Sequence, residues 1–167
     1  MNSKFSVVAL ANTDACFDLQ FRKDTRHERT GFPTYYRWKI QFIITGPKER
    51  LKLLEKTKKE LGCGGVTIAK DQARFAVQKT EDIIETIIPY FTRHSLGGGG
   101  LSQNKKKDFQ LWQKAAAIIY QNKGVVMAKW KKNDLLHLME IHKSMAKYKQ
   151  KPRKSKWMEM AKTLTTK

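Results

Sequence analysis

The 167-residue sequence has few cysteines, few acidic residues and no long apolar run. Its two cysteines, Cys16 and Cys63, are too few for a disulfide framework and form no CxxC pair, so we expect reduced thiols in a reducing compartment. No stretch approaches the roughly 20 consecutive apolar residues that a membrane-spanning helix needs. The four histidines show no spacing typical of zinc ligands. These absences argue against a disulfide-stabilised secreted domain, a membrane-spanning protein and a zinc module.

Negative charge is scarce, and positive charge is abundant. The chain has 34 Lys and Arg against 15 Asp and Glu, a net charge of +19, with a pI near 10.0. Hydrophobic residues make up 40% of the chain, which is enough for a folded core and too many for a disordered polycation. A folded domain this basic repels itself unless an anion neutralises it. The composition therefore predicts nucleic acid as the partner, ahead of an acidic membrane surface and of a basic protein that is merely soluble.

The segment VVALANTDACF (7–17) begins with small apolar residues, continues to the carboxylate of Asp14 and ends in an aromatic residue. The ALA sequence at 9–11 has the form of a signal-peptide cleavage site. However, a single lysine precedes it and the apolar core is short, so we do not interpret it as a cleaved leader. Helical spacing instead predicts a helix over residues 3–14, with Ser3 as its N-cap.

Hydrophobic periodicity predicts the remaining elements. Alternating patterns predict strands over 15–23, 35–45, 66–70 and 72–79, with a charged loop over 24–33. Amphipathic patterns predict helices from Pro47 to about Leu61, from Thr80 to Phe91, over 105–121, and over 133–150 with Asn133 as N-cap. Pro89 is expected to end or kink its helix. The resulting order predicts an α+β fold, in which one face of a four-stranded sheet is apolar under helices and the other is polar and basic.

The polar sides of the predicted strands carry basic and amide side chains. Arginine can bind guanine bidentately and glutamine can bind adenine in the same way, while lysine anchors phosphates. A solvated sheet face is the alternative, and the net charge favours nucleic acid. The strand residues predicted to contact nucleic acid are Gln20, Arg22, Arg37, Lys39, Gln41, Arg74 and Gln78. In the basic C-terminal tail they are Lys151, Arg153 and Lys154.

This order of elements, together with two motifs, resembles the LAGLIDADG homing endonuclease family. VVALANTDA (7–15) occupies the nine positions of the family's helical motif, and the following CF fits its flank. NKKKDFQLWQKA (104–115) is similar to the family's lysine-containing segment before the fourth helix. The resemblance extends to about residue 150. It implies an αββαββα fold with further C-terminal helices, in a nucleic-acid-binding domain over 1–150 followed by a basic tail over 151–167.

The resemblance also implies a role for each motif residue. Asp14 would hold a divalent metal ion, Mg²⁺, at the scissile phosphate, with the backbone carbonyl of Thr13 as a second ligand. Lys105 matches the active-site lysine that stabilises charge or the attacking water. Ala9 and Thr13 are small residues at the contact between two motif helices, so a chain with one motif implies a symmetric homodimer. The implied function is metal-dependent, site-specific cleavage of DNA of the intron-homing type.

A second function is open on the same residues. Asn12 stands where the family has an acid, Ala9 and Ala15 stand where it has glycine, and Ile43 stands where a glutamine often positions water. The alternative is a LAGLIDADG-like protein that has lost cleavage and binds RNA, as an intron maturase or as a structural component of an organellar ribonucleoprotein such as the mitochondrial ribosome. Because organelles favour this family, both functions imply a mitochondrial or chloroplast location, and we expect the chain to be organelle-encoded.

Overall fold

The computed structural model describes residues 6–23, 36–94 and 100–146. Helix α1 (Val7–Asp14) leads into strands β1 (Ala15–Lys23) and β2 (Tyr36–Pro47), a 3₁₀ turn (Lys48–Arg50) and helix α2 (Leu51–Leu61). Strands β3 (Gly65–Ala69) and β4 (Gln72–Val77) precede α3 (Thr80–Asp82), a π-helical segment (Ile83–Ile87) and α4 (Ile88–His94). Helix α5 (Gln103–Gln121), a second 3₁₀ turn (Met127–Lys129) and helix α6 (Lys132–Ala146) follow. The predicted α+β order is confirmed.

The four strands form one antiparallel sheet in the order β1-β2-β4-β3. Successive side chains of a strand point to opposite faces, so the alternation in the sequence divides the sheet into an apolar and a polar side. The apolar side is covered by helices and supplies the centre of the core. Its buried residues are Ala15, Phe17, Leu19 and Phe21 in β1, Trp38, Ile40, Phe42 and Ile44 in β2, and Ala73, Phe75 and Val77 in β4.

Several element ends differ from the prediction. The N-cap of α1 is Ser6, whose hydroxyl accepts a hydrogen bond from the Ala9 N–H at 3.1 Å, while the predicted cap Ser3 lies outside the described residues. Pro47, predicted in a first helical turn, is the last residue of β2, and α2 begins after the 3₁₀ turn. The predicted loop over 24–33, the end of the last helix at 147–150 and the tail over 151–167 also lie outside the described residues.

Pro89 does not end its helix, contrary to one of the two expectations for it. The chain remains helical through the π segment and α4 as far as His94. The N–H of Ile88 bonds to the carbonyl of Ile83, five residues earlier, directly before the proline. Proline lacks the N–H that an α-helix would use at this position, and the wider π turn allows the helix to continue past it.

Trp112 connects helix α5 to the sheet. Its side chain is fully buried, and its Nε1 donates a hydrogen bond to the backbone carbonyl of Asp18 at 3.1 Å. Its ring centroid lies 5.1 Å from that of Phe17, which in turn lies 5.4 Å from Phe109. These contacts hold the first half of α5 against β1. Within the described ranges, no helix has the length and apolar composition needed to cross a lipid bilayer.

We predict that Trp112→Ala lowers the free energy of unfolding by about 3–5 kcal/mol, because it opens a cavity and leaves the Asp18 carbonyl without this donor. Urea denaturation followed by circular dichroism measures the change. Trp130→Ala is the matched control, since Trp130 is only half-buried in the connection between α5 and α6, and its loss should be smaller. Equal losses in the two variants would contradict the central packing role of Trp112.

Candidate active site and nucleic-acid interface

Asp14 lies at the junction of helix and sheet. It is the last residue of α1, and Ala15 begins β1 with no residue between them. The Asp14 side chain is 24% exposed, and its Oδ2 accepts a hydrogen bond from Nη1 of Arg50, whose side chain is 45% exposed. The structure therefore places the carboxylate at an accessible edge of the sheet, in an ion pair with an arginine.

Arg50 was not among the residues predicted from the sequence. It lies in the 3₁₀ turn after β2, 36 positions from Asp14. The β1–β2 ladder pairs Ala15 with Ile44, which brings this turn beside the end of α1. Gly46 provides room for the arginine, because a Cβ there would lie 3.2 Å from Arg50 Cδ. An arginine just after the second strand was visible in the sequence, but alternation alone does not determine the register that brings it to Asp14.

Lys105 lies at the same helix–strand junction as Asp14, although they are far apart in the sequence. Its Nζ donates a hydrogen bond to the backbone carbonyl of Ala15, 90 positions away. Lys105 is in the first turn of α5, where its N–H bonds to the hydroxyl of the N-cap residue Ser102 at 3.4 Å. The structure thus brings together the carboxylate and the lysine that the resemblance implied, and adds Arg50 as a second cation.

Asn12 attaches the start of α5 to α1. Its Nδ2 donates to the carbonyl of Gly100 at 3.3 Å, and its Oδ1 accepts from the Ser102 N–H at 2.7 Å. An amide can do both, whereas an ionised aspartate can only accept. The departure from the family's acid at this position therefore has a structural explanation, which supports the placement of Lys105.

Asp14 offers part of a metal site. Its carboxylate and the neighbouring carbonyl of Thr13 are oxygen donors of the kind that Mg²⁺ prefers. Among the residues that the structure describes, no group of three His, Cys, Asp or Glu side chains could hold a metal ion. A metal ion at Asp14 would therefore need further oxygen ligands from outside this set of side chains, such as backbone carbonyls, water, phosphates or a second chain.

The strand residues predicted to contact nucleic acid share one side of the sheet, which we call the polar face. Lys39 pairs with Gln20 and Arg37 with Arg22 in the β1–β2 ladder. Arg22 and Gln78 are exposed, and Gln20, Arg37, Lys39 and Arg74 are half-buried. The predicted tail residues Lys151, Arg153 and Lys154 lie outside the described residues.

Gln41 differs from the other members of the polar face because it is buried, with 3% of its surface exposed. Its Nε2 donates to Oδ2 of Asp18 at 2.7 Å, and Asp18 is itself only 5% exposed. The Oε1 of Gln41 accepts from Nη2 of Arg74 at 3.4 Å and from Nε2 of Gln78 at 3.3 Å. In this conformation the amide of Gln41 is directed at other side chains, and direct base contact by Gln41 stays a prediction.

Lys39 is surrounded by other cations. Its pKa is lowered first by burial and then by the charges of Arg22, Arg37 and Arg74, while Asp18 acts in the opposite direction. This positive charge is concentrated on the polar face, on the side of the sheet away from the core. An anion bound there would relieve the repulsion among these side chains.

We predict that Lys39→Met stabilises the free protein at pH 7. The pKa of Lys39 is lower in the folded than in the unfolded chain, so its charged form opposes folding, and the wild type recovers stability as the pH rises through the folded-state pKa. The variant should therefore have the higher urea midpoint at pH 7, and the difference from the wild type should shrink as the pH approaches the ordinary lysine pKa of 10.5. Lys56→Met, on the exposed side of α2, is the matched control and should change little. A Lys39→Met variant less stable than the wild type at pH 7 would contradict the account.

Residues 8–116, well over half of the chain, match the model of the LAGLIDADG endonuclease family. No curated protein matches.

The homing endonuclease I-TnaI is similar at 20% identity and a TM-score of 0.68, over 96% of this chain and 93% of that one. I-SmaMI, bound to an uncleaved DNA target with calcium ions, is 20% identical with a TM-score of 0.71, over 93% of this chain and 47% of that one. I-LtrWI, bound to target DNA, is 22% identical with a TM-score of 0.66, over 83% of this chain and 43% of that one. This chain thus spans less than half the length of I-SmaMI and I-LtrWI. By its sequence and by its fold, it belongs to the LAGLIDADG endonuclease family.

Proposed function

We propose that this chain is a site-specific DNA endonuclease of the intron-homing type, which acts as a homodimer and uses Mg²⁺. The observation that carries the proposal is the approach of Lys105 and Arg50 to the Asp14 end of α1, beside a cationic sheet face. Two cations beside a carboxylate are suited to a reacting phosphate, because the cations can stabilise the negative charge that the phosphate oxygens gain in the transition state. The DNA-bound relatives with the same fold support duplex DNA as the substrate.

Each residue of this group has a distinct task. Asp14, with the carbonyl of Thr13, would hold Mg²⁺, which supplies Lewis-acid stabilisation of the phosphate and activation of water. Lys105 is held near the carboxylate by the Ala15 carbonyl and can transfer its donors to a phosphate oxygen. Arg50 neutralises Asp14 in the free protein, and its guanidinium can bind a phosphate bidentately once the carboxylate has another partner.

The homodimer follows from the need to cut two strands with one carboxylate per chain. Ala9 and Thr13 are exposed on the side of α1 opposite its buried residues Val7, Val8 and Ala11. Their small side chains allow a second α1 to approach closely. A two-fold axis there would bring one Asp14 to each strand and align two polar faces along a pseudo-palindromic site.

The RNA-binding alternative is not favoured, because relatives with this fold are bound to DNA in their structures. Location in an organelle stays a proposal that rests on the resemblance alone.

We predict that Asp14→Asn lowers the cleavage rate of a target duplex by at least about 100-fold, because the amide cannot replace the carboxylate at the metal ion. The target is a duplex selected by the wild type from a randomised library, and binding to it should be largely retained. Gel assays of cleavage in Mg²⁺ and of binding in Ca²⁺ separate the two effects. Glu55→Gln, on the exposed side of α2, removes a carboxylate elsewhere and should cleave normally. Cleavage by Asp14→Asn at the wild-type rate would refute the assignment of Asp14.

We predict that Ala9→Arg prevents two chains from assembling on one duplex, because a long cationic side chain cannot fit between two α1 helices. Sedimentation velocity with the selected duplex should show two wild-type chains per DNA and at most one chain of the variant. Ala117→Arg introduces the same change at an exposed position of α5 and should bind as the wild type does. A complex of two Ala9→Arg chains would show that α1 is not the contact.

A further inference from the structure

Two polar side chains lie buried on the side of the sheet that faces away from the core. Asp18 in β1 and Gln41 in β2 pair directly in the ladder, and they are 5% and 3% exposed. Burial of a carboxylate costs free energy unless hydrogen bonds compensate for lost water, and Asp18 receives one from Nε2 of Gln41 at 2.7 Å. The pair therefore forms the buried part of the polar face.

The neighbours of Gln41 allow its amide only one orientation. The ionised carboxylate of Asp18 can only accept, so it must face the NH₂ of Gln41, and the guanidinium of Arg74 can only donate, so it must face Oε1. Because Oε1 of Gln41 is an acceptor, Gln78 must use its own NH₂ in the bond at 3.3 Å. The charge of Asp18 in β1 thereby determines which way the amide of Gln78, the residue that follows β4, is turned.

We propose that the buried Asp18–Gln41 pair is a specificity-determining positioning unit, which orients Gln78 and Arg74 for contact with bases in the major groove. This inference rests on the proposed DNA-binding function. With one N–H committed to Gln41, Gln78 retains one N–H and its Oε1, the donor and acceptor that pair with N7 and N6 of adenine. Arg74 retains donors for the O6 and N7 of guanine. In this unit Asp18 and Gln41 act through these two side chains, toward which Oε1 of Gln41 is directed.

Base preference distinguishes this role from a merely structural one. Loss of a structural bond would weaken all DNA binding or lower stability, whereas loss of orientation would weaken discrimination only at the base pairs that Gln78 and Arg74 contact. Gln41→Met keeps the length of the side chain and removes both its donor and its acceptor. Gln78→Met and Arg74→Met identify the affected base pairs directly.

The experiment selects a randomised duplex library on the full chain in Ca²⁺ and sequences the bound fraction. We expect Gln41→Met to lose about tenfold in discrimination at the base pairs defined by Gln78→Met and Arg74→Met, with no comparable loss at the other base pairs. Gln41→Met combined with Gln78→Met should lose little more at the Gln78 base pair than Gln78→Met alone. Gln113→Met, at an exposed position of α5, is the matched control.

Three results would overturn the inference. They are unchanged preferences in Gln41→Met, a loss spread evenly over all base pairs, and additive losses in the double variant. Urea denaturation establishes that each variant is folded. Should Gln41→Met not fold, Asp18→Asn replaces it, because an asparagine can donate as well as accept and so no longer imposes one orientation; unchanged preferences in Asp18→Asn would again overturn the inference. A wild type that enriches no sequence would remove the proposed function itself, and this inference with it.

Discussion

The passage of helix α1 directly into strand β1 is the constraint on which the candidate site depends. Burial of Val7, Val8 and Ala11 holds the helix on the core, and Ala15 already belongs to the sheet, so Asp14 has no freedom to leave the junction. Elements distant in sequence then converge on this point. Asn12 attaches the start of α5, the Ala15 carbonyl receives Lys105, and the β1–β2 register brings Arg50. The backbone at the α1–β1 junction therefore fixes the position of Asp14, and the charged side chains of Lys105 and Arg50 converge on that junction.

The polar face shows how function opposes stability in the free protein. Arg22, Arg37 and Arg74 surround Lys39 closely enough to lower its pKa, an arrangement that folding alone would not favour. Asp18 offsets part of this repulsion, and its buried bond to Gln41, which also accepts from Arg74, links β1 through β2 to β4. The same carboxylate therefore moderates the charge of the face and orders the side chains on it.

Local patterns predicted most of the fold, because side-chain alternation and helical periodicity depend on neighbouring residues. The motif resemblance led to Asp14 and Lys105, which the structure brings together. What the sequence could not provide depends on contacts between distant segments. The ion pair of Asp14 with Arg50 requires the strand register, and the burial of Gln41 depends on the side chains that three strands place around it. Pro89 suggested a helix end, but its effect depends on whether the preceding turn can widen, as the π segment does.

The most direct test of the central claim is the cleavage of DNA itself. The purified chain is incubated with a plasmid library that carries a randomised insert, in Mg²⁺ or in EDTA, and the new ends are sequenced. We predict paired breaks in the two strands around a pseudo-two-fold centre in one family of sequences, present in Mg²⁺ and absent in EDTA. The absence of breaks from a folded chain that binds the library, or breaks that persist in EDTA, would contradict the assignment of Asp14 and Lys105 to a metal-dependent endonuclease.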